Sequence, residues 1–294
     1  MLKTDDSLRI PVKSGGTPLA ASRWAPPKAP RAVIVVAHGM GEHRRRYKAP
    51  FAALVAAGYI VYAADHRGHG ETVTDKAQLG DYGPAGYAGV VDDLTQVIAY
   101  ARQENPGLPL ILFGHSMGSM ISQGLVIDHA KIIDALVLCG SCAVDVVAAA
   151  AATRDVLGTI NATFQPERTP FDWLSRDNAQ VDAYLADPLC GFGLTPESFM
   201  SLFGQGPRLA DPASLARIPK KLPIYIMSGD RDPLAGDFNA LQPLIERYRA
   251  AGLSVDVKIY PGGRHEILNE TNRSEVVADL LAWCDRTVAA RSAA

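Results

Sequence analysis

Leu110-Ile111-Leu112-Phe113-Gly114-His115-Ser116-Met117-Gly118-Ser119 decides how this chain is read. Four apolar residues without alternation describe a parallel strand buried on both faces. They run straight into G-x-S-x-G, and helical spacing follows from Met117 to His129. A turn so tight between strand and helix forces its central residue into a strained backbone, and the flanking glycines relieve crowding between helix and strand. The strain lifts the Ser116 hydroxyl clear of the sheet and aims the Met117 amide at a developing oxyanion. In this context the motif points to a nucleophilic serine; without it, Ser116 would only cap a helix.

Outward from this stretch the same rhythm recurs. Ala32–Ala37, Tyr59–Ala64, Ala135–Leu138 and Ile224–Met227 are further continuous apolar runs, and Val255–Tyr260 closes the series. Helical patterns lie between them at Phe51–Ala57, Gly89–Glu104, the stretch ending at Tyr248, and the segment from about Arg273. Upstream, Ser7–Val12 and Pro18–Ala25 read as an antiparallel pair joined by the turn Ser14-Gly15-Gly16. Between residues 143 and 221 the rhythm breaks. Val144–Phe164 is Ala-rich and reads as helix, and prolines at 166, 170, 188, 196, 207 and 212 follow, with Thr195-Pro196-Glu197 marking a helix start. The expected organisation is a core of residues 1–142 and 222–294 and a helical cap of residues 143–221.

Bulk properties exclude several functions. With 48% hydrophobic residues the chain can bury a large core, and a net charge of -2 with no basic block beyond Arg44-Arg45-Arg46 argues against nucleic acid. The opening MLKTDDSLRI has no apolar run, and no stretch approaches the roughly 20 apolar residues of a membrane span. A soluble, cytoplasmic enzyme is expected. Cys139-Gly-Ser-Cys142 has redox spacing, but it ends an apolar strand and has no second pair to complete a zinc site; the four cysteines read as buried thiols.

A serine hydroxyl needs a neighbouring base, usually histidine. In a strand–turn–helix site of this kind the order along the chain is Ser, then acid, then His. Only His129 and His265 follow Ser116. His129 lies at the far end of the helix that Ser116 opens, roughly 18 Å away. His265, in the loop after the last strand, is the base by elimination and position. Among the acids between them, Asp256 falls inside a strand and Asp237 begins a helix. Asp230 and Asp232 share the loop SGDRDP (228–233), and spacing alone barely separates them. The acid fixes the imidazole tautomer and stabilises the imidazolium.

Ala37-His38-Gly39-Met40-Gly41-Glu42-His43 follows the first buried strand, where the Met40 amide would be a second oxyanion donor. A phosphate cradle is a poor alternative, because the P-loop Lys-Ser/Thr is absent. Asp65-His66-Arg67-Gly68-His69-Gly70 resembles a metal cluster, but its side chains crowd one tight turn, so a structural role is expected.

The ordered set HGMGEHRRRY (38–47), DHRGHG (65–70), GHSMGS (114–119), SGDRDP (228–233) and PGGRHEILNE (261–270) resembles the monoacylglycerol lipase and lysophospholipase branch of the α/β-hydrolase superfamily, often grouped with serine aminopeptidases. FDWLSRD (171–177) and ADPLCGF (186–192) resemble cap segments of bacterial members. The resemblance implies a mostly parallel eight-stranded sheet flanked by helices with a helical cap. It also implies the triad Ser116, Asp232 and His265, with oxyanion amides at Met40 and Met117. Glu42 and Arg46 match positions that family lipases hold near the glycerol moiety; a structural ion pair is the competing reading. The expected substrate is a small ester or lipid, with no cofactor, no metal, no nucleic acid, and transient contact of the cap with a membrane surface. Amide cleavage and a non-catalytic small-molecule receptor are the alternatives. Acyl length, alcohol group and oligomeric state are not legible.

Overall fold

The structure, a computed structural model, describes residues 6–13, 17–153, 155, 159–236 and 239–292. The turn expected at Ser14–Gly16 and the helix start expected at Asp237 lie outside them. Eight strands form one sheet: β1 (Asp6–Ile10), β2 (Leu19–Trp24), β3 (Ala32–Ala37), β4 (Tyr59–Ala64), β5 (Leu110–His115), β6 (Ala135–Cys139), β7 (Ile224–Gly229) and β8 (Val255–Tyr260). Their spatial order is β1-β2-β4-β3-β5-β6-β7-β8. β2 runs antiparallel to β1 and β4, and every pairing from β4 to β8 is parallel.

Strands β3 to β7 are buried at every residue. Because successive side chains point to opposite faces, each strand feeds two cores. Val33, Val35 and Ala37 enter one; Ala32, Ile34 and Val36 enter the other. The helices Gly86–Glu104, Met117–His129 and Leu241–Ala250 cover the first. The second is closed by Ala52–Ala56 and by Arg273–Ser292, whose Val276, Leu280, Trp283, Cys284 and Val288 form one helical stripe. Each such side chain removed from water contributes about 1.5–3 kcal/mol before chain entropy is set against it.

The topology also places a crevice. β3 leads to β4 on one side, whereas β5 leads to β6 on the other, so the order reverses between β3 and β5. In open parallel sheets ligands bind beyond the carboxyl ends of the strands at such a point. The register pairs Val36 with Phe113 and Ala37 with Gly114, which brings the loop after Ala37 beside Ser116.

Residues 140–223 interrupt the alternation between β6 and β7 with the helices Val144–Ala151, Asn178–Ala186, Pro196–Phe203, Gly206–Ala210 and Pro212–Leu215. Thr195 caps Pro196–Phe203, accepting from the Ser198 amide at 3.3 Å. The expected long helix from Val144 to Phe164 is shorter. It ends at Ala151, and just beyond it the Thr153 hydroxyl donates to the Ala150 carbonyl at 3.0 Å. Two serines tie this segment to the core. Ser198 accepts from the Tyr82 amide and Ser201 from the Tyr87 amide, both at 2.8 Å, the latter at the start of Gly86–Glu104. No helix among the described residues is long and apolar enough to cross a membrane.

Candidate active site

Ser116 sits between β5 and Met117–His129 with φ 51° and ψ −121°. Such a conformation costs a residue with a Cβ on the order of 1–3 kcal/mol. It is held in place from both sides: the Ser116 amide donates to the Cys139 carbonyl at 2.9 Å, and its carbonyl accepts from the Ser119 amide and hydroxyl. The neighbouring glycines are needed for space. A Cβ on Gly114 would stand 2.7 Å from the Gly118 carbonyl oxygen, and one on Gly118 only 2.1 Å from that of Ala37. Since both obstacles are backbone, Gly118→Ala should cost about 3 kcal/mol, the upper range of core overpacking. Gly193→Ala, where a Cβ meets nothing within 4 Å, should stay within about 0.5 kcal/mol. Denaturant unfolding of the two variants measures the difference, and equal stabilities would remove the packing explanation.

The loop after β3 is braced by two buried side chains. His38 donates from Nδ1 to the Gly39 carbonyl at 2.8 Å and accepts at Nε2 from the His66 amide at 3.0 Å. That pairing requires a neutral ring, in line with burial and the neighbouring His66 and His69, which hold its pKa well below the ordinary value. Glu42 accepts at Oε1 from the Gly39 amide at 2.5 Å and from the Tyr47 hydroxyl at 2.7 Å. At Oε2 it accepts from Arg46 at 2.7 Å. With the Gly39 amide engaged, Met40 supplies the next amide along the loop, and Met40 lines the cavity above Ser116. Met117 opens its helix, where first-turn amides lack intrahelical partners.

His265 is buried, and its Nδ1 lies 2.9 Å from Asp232 Oδ2. Asp232 is fully buried and also accepts from the Leu234 amide at 3.0 Å. Burial by itself would lower the His265 pKa, but the Asp232 carboxylate and its hydrogen bond outweigh it and raise the net value. The ring lies between Trp173 and His115, at 4.8 and 4.9 Å between centroids. Asp230 is placed elsewhere, accepting from the Gly262 amide at 2.7 Å on the exposed side of the loop.

Ser116 and His265 open on one cavity of about 300 Å³. Apolar groups dominate it: Met120 and Leu234 from the core, and Val147, Ile160, Phe171, Leu174, Phe192, Phe199 and Phe203 from the inserted segment. Two features here were not read from the sequence. Glu266 lines the cavity and binds Arg46 through two bonds of 2.6 and 2.7 Å, so one guanidinium joins Glu42 and Glu266. Trp173 flanks the His265 ring, and its carbonyl accepts from the His265 amide at 3.3 Å. The only signal in the sequence is an acid directly after His265. Of the expected pair, Glu42 lines the main cavity while Arg46 borders a smaller neighbouring one.

The histidine-rich turn after β4 is organised around Asp65. This carboxylate is buried and accepts from the Arg44 amide, the Arg44 guanidinium and the Glu71 amide. Burial first of all lowers the His66 and His69 pKa values, to about 3 and about 4. All four cysteines are free thiols, buried except for Cys190.

The sequence pattern of the family described as serine aminopeptidase, S33, matches residues 28–272. The monoacylglycerol lipase of Mycolicibacterium smegmatis is 33% identical over 276 residues, 92% of this chain and 93% of that protein. The chain belongs to the S33 hydrolase family. This S33 hydrolase is also 28% identical to the monoglyceride lipase of Homo sapiens over 265 residues, 88% of this chain and 83% of the relative. Its fold matches a carboxyl esterase from Bacillus coagulans solved with glycerol at TM-score 0.87 and 29% identity, over 97% of this chain and 99% of that one. The mostly parallel eight-stranded sheet with flanking helices is therefore the α/β-hydrolase fold.

Proposed function

We propose that the chain hydrolyses carboxylic esters through an acyl-enzyme on Ser116. His265 takes the hydroxyl proton as Ser116 Oγ bonds to the ester carbonyl carbon, and the Met40 and Met117 amides hold the resulting oxyanion. The C–O bond then breaks, and His265 returns the proton to the departing alcohol. Water, deprotonated by His265, repeats the addition and frees the acid and Ser116. Asp232 orients the ring and stabilises its protonated form. The observation that carries this reading is one apolar cavity receiving both a serine on a strained bend and a histidine bonded to a buried carboxylate.

Residues 143–221 act as the cap, supplying the aromatic wall of that cavity. About 300 Å³ is at the small end of ligand sites and suits one acyl chain. A single-chain ester such as a monoacylglycerol or a lysophospholipid fits it, in keeping with the lipase and esterase names of the relatives. Glu42 faces the alcohol moiety, and Arg46 acts through Glu42 as a positioning residue. Met200 and Leu185, exposed on the cap at 69% and 44%, supply apolar area for transient contact with a lipid surface.

Amide cleavage by an aminopeptidase needs a free carboxylate to anchor a substrate amine. Glu42 and Glu266 border the cavity, but both are paired with Arg46. Esters are therefore favoured. A series of monoacylglycerols, lysophospholipids, simple esters and aminoacyl naphthylamides tests this. Turnover should be greatest for single-chain esters and absent for naphthylamides, and naphthylamide cleavage at ester-like rates would overturn the assignment.

A further inference from the structure

Three groups of different chemistry meet where the cap touches the loop after β3. His43 directly follows Glu42, whereas Asp187 and Cys190 belong to the inserted segment. His43 Nε2 lies 2.8 Å from Asp187 Oδ2, and an imidazole nitrogen of His43, a carboxylate oxygen of Asp187 and Cys190 Sγ all lie within 4.8 Å of one another. Among the described residues this is the one such grouping of three histidine, cysteine or acidic side chains. None of the three lines the cavity above Ser116. The catalytic reading leaves them unused.

Main-chain bonds hold the set in advance. The Cys190 amide donates to the Asp187 carbonyl at 3.0 Å, and the Gly191 amide reaches across to the Gly41 carbonyl at 3.0 Å. Tyr184 donates its hydroxyl to the same carbonyl at 2.8 Å. Asp187 Oδ1 is occupied by the Leu189 amide at 2.9 Å, which turns Oδ2 toward His43. The imidazole is almost wholly buried, while the Asp187 side chain is 32% exposed, so the site opens to solvent on one side.

An imidazole nitrogen, a carboxylate oxygen and a thiolate sulfur are a mixed donor set that hard cations such as Ca²⁺ and Mg²⁺ do not select. They are ordinary zinc ligands, and three of them leave a fourth tetrahedral position for water. Zinc bonds of ~2.0–2.3 Å place tetrahedral ligand atoms ~3.2–3.8 Å apart, which side-chain shifts of about 1 Å would reach from the present triangle. We propose that His43, Asp187 and Cys190 form a zinc site that fastens the cap to the oxyanion loop. Binding releases the Cys190 thiol proton. On His43 the proton moves from Nε2 to Nδ1, and the 3.3 Å contact from the Arg45 amide is given up.

The test uses the full chain, Zn²⁺ and Co²⁺. Calorimetry should find one Zn²⁺ per chain, and Co²⁺ should give a near-ultraviolet thiolate charge-transfer band. Iodoacetamide reports on Cys190 in the native protein, because Cys139, Cys142 and Cys284 are buried. Zinc should slow that alkylation, which peptide mass mapping assigns to the residue. Cys190→Ser and Asp187→Asn should keep basal ester turnover and weaken zinc binding by at least about 100-fold, the upper cost of losing even an outer-shell partner. Wild-type protein that binds no zinc at micromolar metal overturns the proposal, as does binding that both variants retain. The alkylation measurement on the wild-type chain decides the matter even if a variant fails to fold.

Discussion

Ser116→Ala is expected to lower ester turnover by about 10⁵-fold or more, the scale on which removing a nucleophile of this kind acts. Folding should be unaffected. Alanine places the same Cβ at φ 51°, so the strain at the bend is unchanged, and only a hydroxyl at the cavity edge is lost. Ser116→Gly separates strain from chemistry. Glycine adopts this backbone freely, so the variant should be as inactive as alanine yet more stable by about 1 kcal/mol, the strain relieved less the added entropy of the unfolded chain. Urea unfolding and p-nitrophenyl ester turnover read the two effects separately. An alanine variant with near wild-type turnover would transfer the nucleophile elsewhere; a destabilised glycine variant would show that the bend carries no strain.

How much of this was legible follows from where the information resides. Strands β3 to β7 were readable because burial on both faces leaves unbroken apolar runs. The bend at Ser116 was readable because its space requirement selects glycine at 114 and 118, and the structure shows those Cβ positions filled by backbone. Within the loop 228–233 the sequence could not separate Asp230 from Asp232. The difference is one of direction: one faces the Gly262 amide and the other the imidazole. The Glu42–Arg46–Glu266 link was hidden for a related reason, since Glu266 is 220 residues from its partner and only folding brings them together. The alanine run carries a helical pattern beyond Ala151, where the helix from Val144 ends. Period and composition are local; orientation is not.

Direction is also what Asp232→Asn probes. In the proposed mechanism the carboxylate accepts the Nδ1 proton of His265 and so leaves Nε2 free to receive the proton of Ser116. An asparagine amide can donate to Nδ1 instead and favour the opposite tautomer, whose Nε2 already carries a hydrogen. Turnover at neutral pH should fall about 10⁴-fold with the fold retained. The pH profile adds a second readout. In the wild type the base must be unprotonated, and its pKa is raised, so kcat/KM should rise through a value above the ordinary 6.5 of histidine. Without the carboxylate, burial prevails and the residual activity should rise at lower pH. The linked stability has a definite sign as well. A raised native pKa favours the folded state when the ring is protonated; that contribution is present below about pH 6.5 and lost as pH climbs through the raised value. The stability gap between wild type and variant should therefore widen on acidification through this window. Asp230→Asn, which disturbs only an exposed bond to Gly262, should leave both the rate and the acid limb in place. If it were Asp230→Asn that lost the activity and shifted the profile, the orienting acid would have to be reassigned, and with it the route by which His265 is held ready to take the Ser116 proton.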